Sequence, residues 1–125
     1  MVQADTRAAM ESVAVGFRQA YDLLSTSLGE PQDIVASGGG LLRSAGWTQM
    51  MADALGRPVT ASTELEASAR GAVLWTLEQL RLTDSLAALA ASNGATFEPR
   101  AEQQAAFEEL MARRQALYRK LYGTV

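Results

Sequence analysis

A chain of 125 residues, 48% apolar and 20% charged, has the size and balance of one globular domain. Its net charge of −3 leaves no basic surplus to attract nucleic acid or an anionic membrane, so neither is expected as a partner. Cysteine and histidine are both absent, which rules out disulfides, thiolate or imidazole metal sites, and every catalytic triad built on either residue.

The stretch from Met1 to Arg7 is polar and carries Asp5 ahead of any apolar run, unlike a secretory signal. No segment approaches the ~18 apolar residues of a membrane span, and the expected location is the cytoplasm. From Asp5 to Leu28, Met10, Val13, Phe17, Tyr21, Leu24 and Leu28 recur at steps of three and four, with Ala14 on their face and Glu11, Arg18 and Asp22 away from it. This spacing predicts one long amphipathic helix whose apolar stripe is buried, ending near Gly29 and Pro31.

Asp33-Ile34-Val35-Ala36-Ser37 reads as a short buried strand that stops at Gly38-Gly39-Gly40. Helical spacing resumes with Trp47, Met50, Met51, Ala54 and Leu55 as core positions, closed by Gly56 and Pro58; Asp53 and Arg57 read as a local ion pair. Val59 to Ala61 is a second short strand. Thr63 and Glu66 have the spacing of a capping box for a third helix, with Ala69, Ala72, Val73, Leu77 and Leu80 as its buried stripe. Glu64, Glu66 and Arg70 read as helix-start and surface charges. A weak helical segment runs from Leu82 through Leu89, a loop follows at Ser92-Asn93-Gly94, and a last helix lies after Pro99, within residues 98–122. Its face is Phe107, Leu110, Met111, Leu117, Tyr118 and Leu121.

The order helix, strand, helix, strand, helix predicts an α/β unit, helix-rich, with about two short parallel strands. A sheet of that size is marginal by itself. Apolar helix faces without enough sheet to cover imply further strands from a longer polypeptide, a partner chain, or a second copy, so a homo-oligomer is one expectation.

A strand that runs through glycines into a helix gathers backbone N–H groups and the positive end of the helix dipole, which suits a phosphate. Gly38-Gly39-Gly40 matches neither the P-loop nor the dinucleotide fingerprint, and by itself it fits a plain structural turn equally well. Ser44 sits where the next helix begins, as its N-cap or as a hydroxyl facing a ligand.

Taken together, Ala36-Ser37-Gly38-Gly39-Gly40, Ser44, the run from Trp47 to Val59, and Glu66-Ala67-Ser68-Ala69-Arg70-Gly71-Ala72 resemble the adenine-nucleotide lobe of the FGGY carbohydrate kinases. Arg7 to Ala14 resembles the helix preceding it, and Phe97-Glu98-Pro99 with the Leu117 to Tyr122 segment resembles the family's C-terminal end. The resemblance implies a partial ribonuclease H-like, actin-type ATPase lobe, with residues 1–125 forming the C-terminal portion of the nucleotide-binding domain. It implies ATP and Mg as cofactors of the intact kinase, and nucleotide contacts at Gly38, Gly39, Gly40 and Ser44. Ser68, Arg70 and Gly71 look like the family's second signature, with a structural role.

The family's catalytic aspartate lies in a glycine-bearing loop with no counterpart here. Asp5, Asp22, Asp33, Asp53 and Asp84 stand in other contexts, so no catalytic residue and no metal ligand is assigned. Substrate contacts come mainly from the other lobe. The wording at Glu66–Ala72 is most like gluconate kinases, then xylulose kinases. The resemblance thus implies a fragment of a sugar kinase that is inactive alone. The competing expectation is a non-catalytic module that self-associates or docks on a partner.

Overall fold

A computed structural model describes residues 2–83, 85–89 and 92–123, which leaves Asp84 outside the described residues. The chain runs α1 (Val2–Leu28), β1 (Val35–Ala36), α2 (Gly39–Leu42), α3 (Ala45–Leu55), β2 (Val59–Ser62), α4 (Ala67–Gln79), a 3₁₀ turn (Leu86–Leu89), β3 (Asn93–Phe97) and α5 (Ala101–Tyr122). The sheet order is β1-β2-β3, with β1 and β2 parallel as the sequence predicts. The third strand is an addition: Asn93-Gly94, expected as loop, begins β3, which pairs antiparallel with β2.

Two local features make that strand. A Cβ on Gly94 would lie 3.2 Å from the Ala61 carbonyl oxygen, so glycine lets the two backbones approach. Thr60 and Thr96 share a hydroxyl hydrogen bond of 2.9 Å across the pair. Thr63, expected to cap α4, instead donates its hydroxyl to the Ser92 carbonyl at 2.9 Å, and its N–H bonds the same oxygen at 3.2 Å. The capping box therefore does not form; Glu66 precedes α4 with no side-chain cap.

Helix α3 is the hub. Thr48, Met51, Ala52, Asp53, Ala54 and Leu55 are all buried along it. One side joins Met51 and Ala54 to Ala14 and Val15 of α1 and Phe107 of α5, with Trp47, Met50, Leu110 and Met111 packed around them. The other side joins Ala52 and Leu55 to Ala36 of β1 and Val59 of β2, with Tyr21, Ile34 and Phe97 at the margin. The predicted core positions of α3 are thus in the core. Its end is also as read: Gly56 is left-handed at φ 64°, and a Cβ there would meet the Gln104 Nε2 atom at 2.7 Å.

Helix α1 begins at Val2, ahead of the predicted Asp5, and stops as expected at Gly29, φ 86°, but its packing face differs. Ala14 and Val15 are the residues fully buried against α3, whereas Val13, Phe17, Leu24 and Leu28 of the predicted stripe are exposed. The buried side lies about one residue step, ~100°, around the helix from that stripe. Arg18, expected to point away, lies on the packed side. Its NH1 donates to the Ala54 carbonyl at 3.0 Å, near the C-terminal end of α3, and its Nε to Asp22 at 2.8 Å. Burial disfavours its charge, yet bonds to Asp22 and the charges of Asp22 and Glu108 outweigh this and raise its pKa.

The predicted stripe of α4 is likewise uncovered. No residue of α4 is buried, and Val73 and Leu80 are exposed. Arg70 ties the helix locally, to Glu64 at 3.3 Å and to the Leu89 carbonyl at 2.7 Å, a structural use of those charges. In α5, Phe107 is buried and Leu110 and Met111 pack beside it, but Leu117, Tyr118 and Leu121 are exposed.

Candidate functional site

Strand β1 delivers the chain to Gly38, whose φ of 93° lies in the region that favours glycine. Helix α2 follows for a single turn, so the glycines do not feed α3 directly. Leu42 and Arg43 donate their N–H groups to the carbonyls of Gly38 and Gly39, at 3.1 and 3.2 Å. As first-turn residues, Gly39, Gly40 and Leu41 have no intrahelical acceptor for theirs. No atom lies within 4 Å of a Cβ built on Gly38, so the turn is open on that side. A Cβ on Gly40 would touch the Trp47 ring at 3.6 Å, and one on Gly39 the Arg43 Nε at 3.7 Å.

The turn is held from below by α3. Thr48, 1% exposed, donates its hydroxyl to the Leu41 carbonyl at 3.0 Å and reaches the Ser44 carbonyl at 3.3 Å. Ser44 caps α3: its side chain accepts from the Trp47 N–H at 3.2 Å, as expected of an N-cap. The four predicted positions, Gly38, Gly39, Gly40 and Ser44, are thus brought to one short stretch between β1 and α3. Arg43, not singled out from sequence, joins them as the only charged side chain between Gly38 and Trp47. Its charge beside a glycine turn was the available signal.

The predicted Asp53–Arg57 pair does not form. Asp53, 1% exposed, binds Arg100 instead: Oδ2 accepts from Arg100 NH2 at 2.6 Å, Oδ1 from the Arg100 backbone N–H at 2.8 Å and from Gln49 Nε2 at 3.1 Å. Gln49 Nε2 also donates to the Glu98 carbonyl at 2.7 Å. Arg57 turns to the α1–β1 connection, binding Glu30 at 2.6 Å, the Pro31 carbonyl at 3.1 Å and the Tyr21 hydroxyl at 3.2 Å. Residues four apart can meet on a helix, but Arg57 lies beyond the αL turn at Gly56 and leaves that face.

Burial pushes the Asp53 carboxyl pKa up, but the Arg100 side chain and N–H, Gln49 and the Arg100 charge together hold it below the ordinary carboxylate value. Near pH 4 the unfolded chain therefore takes up a proton that the folded chain refuses. The stabilisation is complete above that range and is lost as pH falls through the depressed native value. Urea midpoints of the 125-residue chain should drop between about pH 5 and pH 3, and Asp53→Asn should flatten this slope. An unchanged slope would show that other carboxylates carry it.

Two clefts of about 340 and 360 Å³ lie between α1 and α5, where Glu11, Leu110 and Arg113 line both. Neither is lined by Gly38, Gly39, Gly40 or Ser44. Among the described residues, no group of three or more acidic side chains could hold a metal ion, and no helix is long and apolar enough to cross a membrane.

Comparison with known proteins gives the family of the chain. Residues 4–80, more than half of the chain and including the whole stretch from Gly38 to Ser44, match the FGGY family of carbohydrate kinases, C-terminal domain. The chain belongs to this family. Among solved structures, the FGGY segment is similar to xylulose kinase from Rhodospirillum rubrum, at 30% identity and a TM-score of 0.72, over 93% of this chain and 24% of that one. It is also similar to ligand-bound xylulose kinase from Lactobacillus acidophilus, at 21% identity and a TM-score of 0.80, over 94% of this chain and 24% of that one. Gluconate kinase from the same organism gives 21% identity and a TM-score of 0.78, over 92% and 24%. No match was found among curated protein sequences. The FGGY segment thus spans about a quarter of the length of these solved kinases, and its fold is that of their C-terminal, actin-like ATPase domain.

Proposed function

We propose that residues 1–125 are the C-terminal portion of the nucleotide-binding domain of an ATP-dependent sugar kinase and supply part of its adenine-nucleotide site. The observation that carries this is the open glycine turn, left-handed at Gly38 and pinned to α3 through Thr48 and Ser44, inside the segment that matches the family. Gly38, Gly39 and Gly40 would let the nucleotide approach the backbone, and first-turn amides would face its phosphate end. Ser44 keeps its hydroxyl proton for the ligand while its oxygen caps α3, and Arg43 adds a cation beside Gly39. With no acidic cluster among the described residues, Mg would arrive on the triphosphate and be held by other parts of the enzyme. The bound ATP supplies the phosphoryl group; these residues bind and orient it.

No catalytic base stands at this turn, so the isolated chain is expected to phosphorylate neither gluconate nor xylulose. ATP-dependent turnover of either by the 125-residue chain would overturn this. The nucleotide role is tested in a chimera that carries this chain in place of the matching quarter of the Rhodospirillum rubrum kinase. Gly39→Val should raise the KM for ATP about tenfold, near 1.4 kcal/mol, with the KM for sugar unchanged. An unaltered KM for ATP would remove the assignment.

Gluconate is the favoured substrate of the intact enzyme, on the wording of Glu66–Ala72. Xylulose is the second reading, because a 30%-identical structure is a xylulose kinase. Phosphorylation assays of an intact enzyme carrying this segment, with each sugar, separate the two. The expected location remains the cytoplasm, where ATP is available.

A further inference from the structure

Helix α2 is a single turn, closed by the Leu42 and Arg43 N–H groups at 3.1 and 3.2 Å. One turn does not hold itself, because its few bonds must offset the fixing of several backbone angles, and two of its four residues are glycines. None of its residues is buried, and Gly38 offers no capping side chain. Whatever keeps the glycine turn in place therefore lies outside it.

Two tethers do. The Leu41 side chain packs at the margin of both core clusters. The Leu41 carbonyl accepts the hydroxyl of Thr48, seven residues on and 1% exposed, at 3.0 Å. Trp47 supplies no second polar tether, since its buried Nε1 has no hydrogen-bond partner; its ring only bounds the space beside Gly40, where a Cβ would lie 3.6 Å from it. A hydroxyl has a single proton, so the 3.3 Å approach of Thr48 to the Ser44 carbonyl competes with the shorter bond. That approach is the back-bond any threonine can make within its own helix, as Thr26 does to the Asp22 carbonyl at 2.8 Å. The bond to Leu41 is of a different kind: it joins α2 to α3, the hub of the core.

Both acceptors have another donor. The Leu41 carbonyl also takes the Ser44 N–H at 3.0 Å, and the Ser44 carbonyl takes the Trp47 and Thr48 N–H groups, each at 3.0 Å. Removing the Thr48 hydroxyl thus leaves neither carbonyl unpaired, and valine fills nearly the same volume. The fold should tolerate the loss. The position of the turn should not.

We propose that Thr48 is a positioning residue for the nucleotide: its hydroxyl, acting through the Leu41 carbonyl, holds the Gly38–Gly40 turn against α3 where ATP binds. Thr48 touches no ligand itself, and its role rests on the nucleotide reading of the turn.

In the chimera, Thr48→Val should raise the KM for ATP about fivefold, with kcat and the KM for sugar unchanged. Thr48→Ser, which restores the hydroxyl, should return that KM to within about twofold of the parent. In the 125-residue chain, Thr48→Val should speed exchange of the Arg43 amide about tenfold more than that of the Leu55 amide in α3. A merely structural role would speed both alike. Thr26→Val removes a hydroxyl from the exposed side of α1 and should move neither readout.

Equal acceleration of the two amides would overturn the proposal even if the chimera cannot be made. So would an unaltered KM for ATP in Thr48→Val while Gly39→Val raises it, and the nucleotide reading would then stand without Thr48. If neither substitution moves the KM for ATP, the nucleotide reading itself fails and the role of Thr48 falls with it.

Discussion

Phe107→Ala is expected to cost about 3–5 kcal/mol, the range for removing a buried aromatic ring. Phe107 is the buried residue of α5, and it shares one core cluster with Ala14 and Val15 of α1 and Met51 and Ala54 of α3. Two of these partners are alanines, which cannot extend into the space a lost ring leaves, so little of the cavity will close. A loss of this size rivals the whole stability of an ordinary domain, about 5–15 kcal/mol. Urea titration followed by circular dichroism should show α5 detached or the chain unfolded, whereas Phe107→Leu should recover most of the loss. Tyr118→Ala, on the exposed end of the same helix, should change the midpoint by no more than about 0.5 kcal/mol. Equal effects at 107 and 118 would mean that α5 is not anchored through its ring.

Asp53→Ala should cost on the order of 3 kcal/mol. The carboxylate is buried at the end of α3 and accepts the backbone N–H of Arg100, the residue just before α5, at 2.8 Å. Removing it strands that N–H and frees one bond of Gln49, whose other bond holds the Glu98 carbonyl. Arg100→Ala should cost less, although it leaves the buried carboxylate without its cation, because the Arg100 N–H and Gln49 still bond Asp53 and the carboxyl can take up a proton. The ordering of the two urea midpoints is the measurement. If Arg100→Ala proves the more damaging, the clamp acts through the side-chain ion pair and not through the backbone of the α5 entry.

The αL stops at Gly29 and Gly56 and the Ser44 cap were legible in the residues, because each is decided within a few positions of itself. The parallel pairing of β1 with β2 followed from the order of elements, while the one-turn helix α2 was not foreseen and the helical segment expected from Leu82 through Leu89 is a 3₁₀ turn at Leu86–Leu89. The proposed site is as local as those caps: Gly38 to Ser44 is one continuous stretch, and the structure adds Arg43 beside Gly39. The other misreadings share one cause. Periodicity reports that Val13, Phe17, Leu24 and Leu28 of α1, or Val73 and Leu80 of α4, need a cover, but it does not say which polypeptide provides it. Asp53 and Thr63 were assigned to near neighbours, when their partners Arg100 and Ser92 lie far along the chain.

Composition and local pattern alone determined an α/β segment without histidine or cysteine chemistry, with a glycine turn at Gly38–Gly40. Tertiary structure decided the rest: that β3 completes a mixed sheet, that α1 meets α3 through Ala14 and Val15, and that Asp53 fastens the start of α5. The division is physical. Turns, caps and helix ends are set by backbone conformation and short-range hydrogen bonds, whereas the face a helix buries and the partner a buried charge finds depend on which distant surfaces arrive beside it.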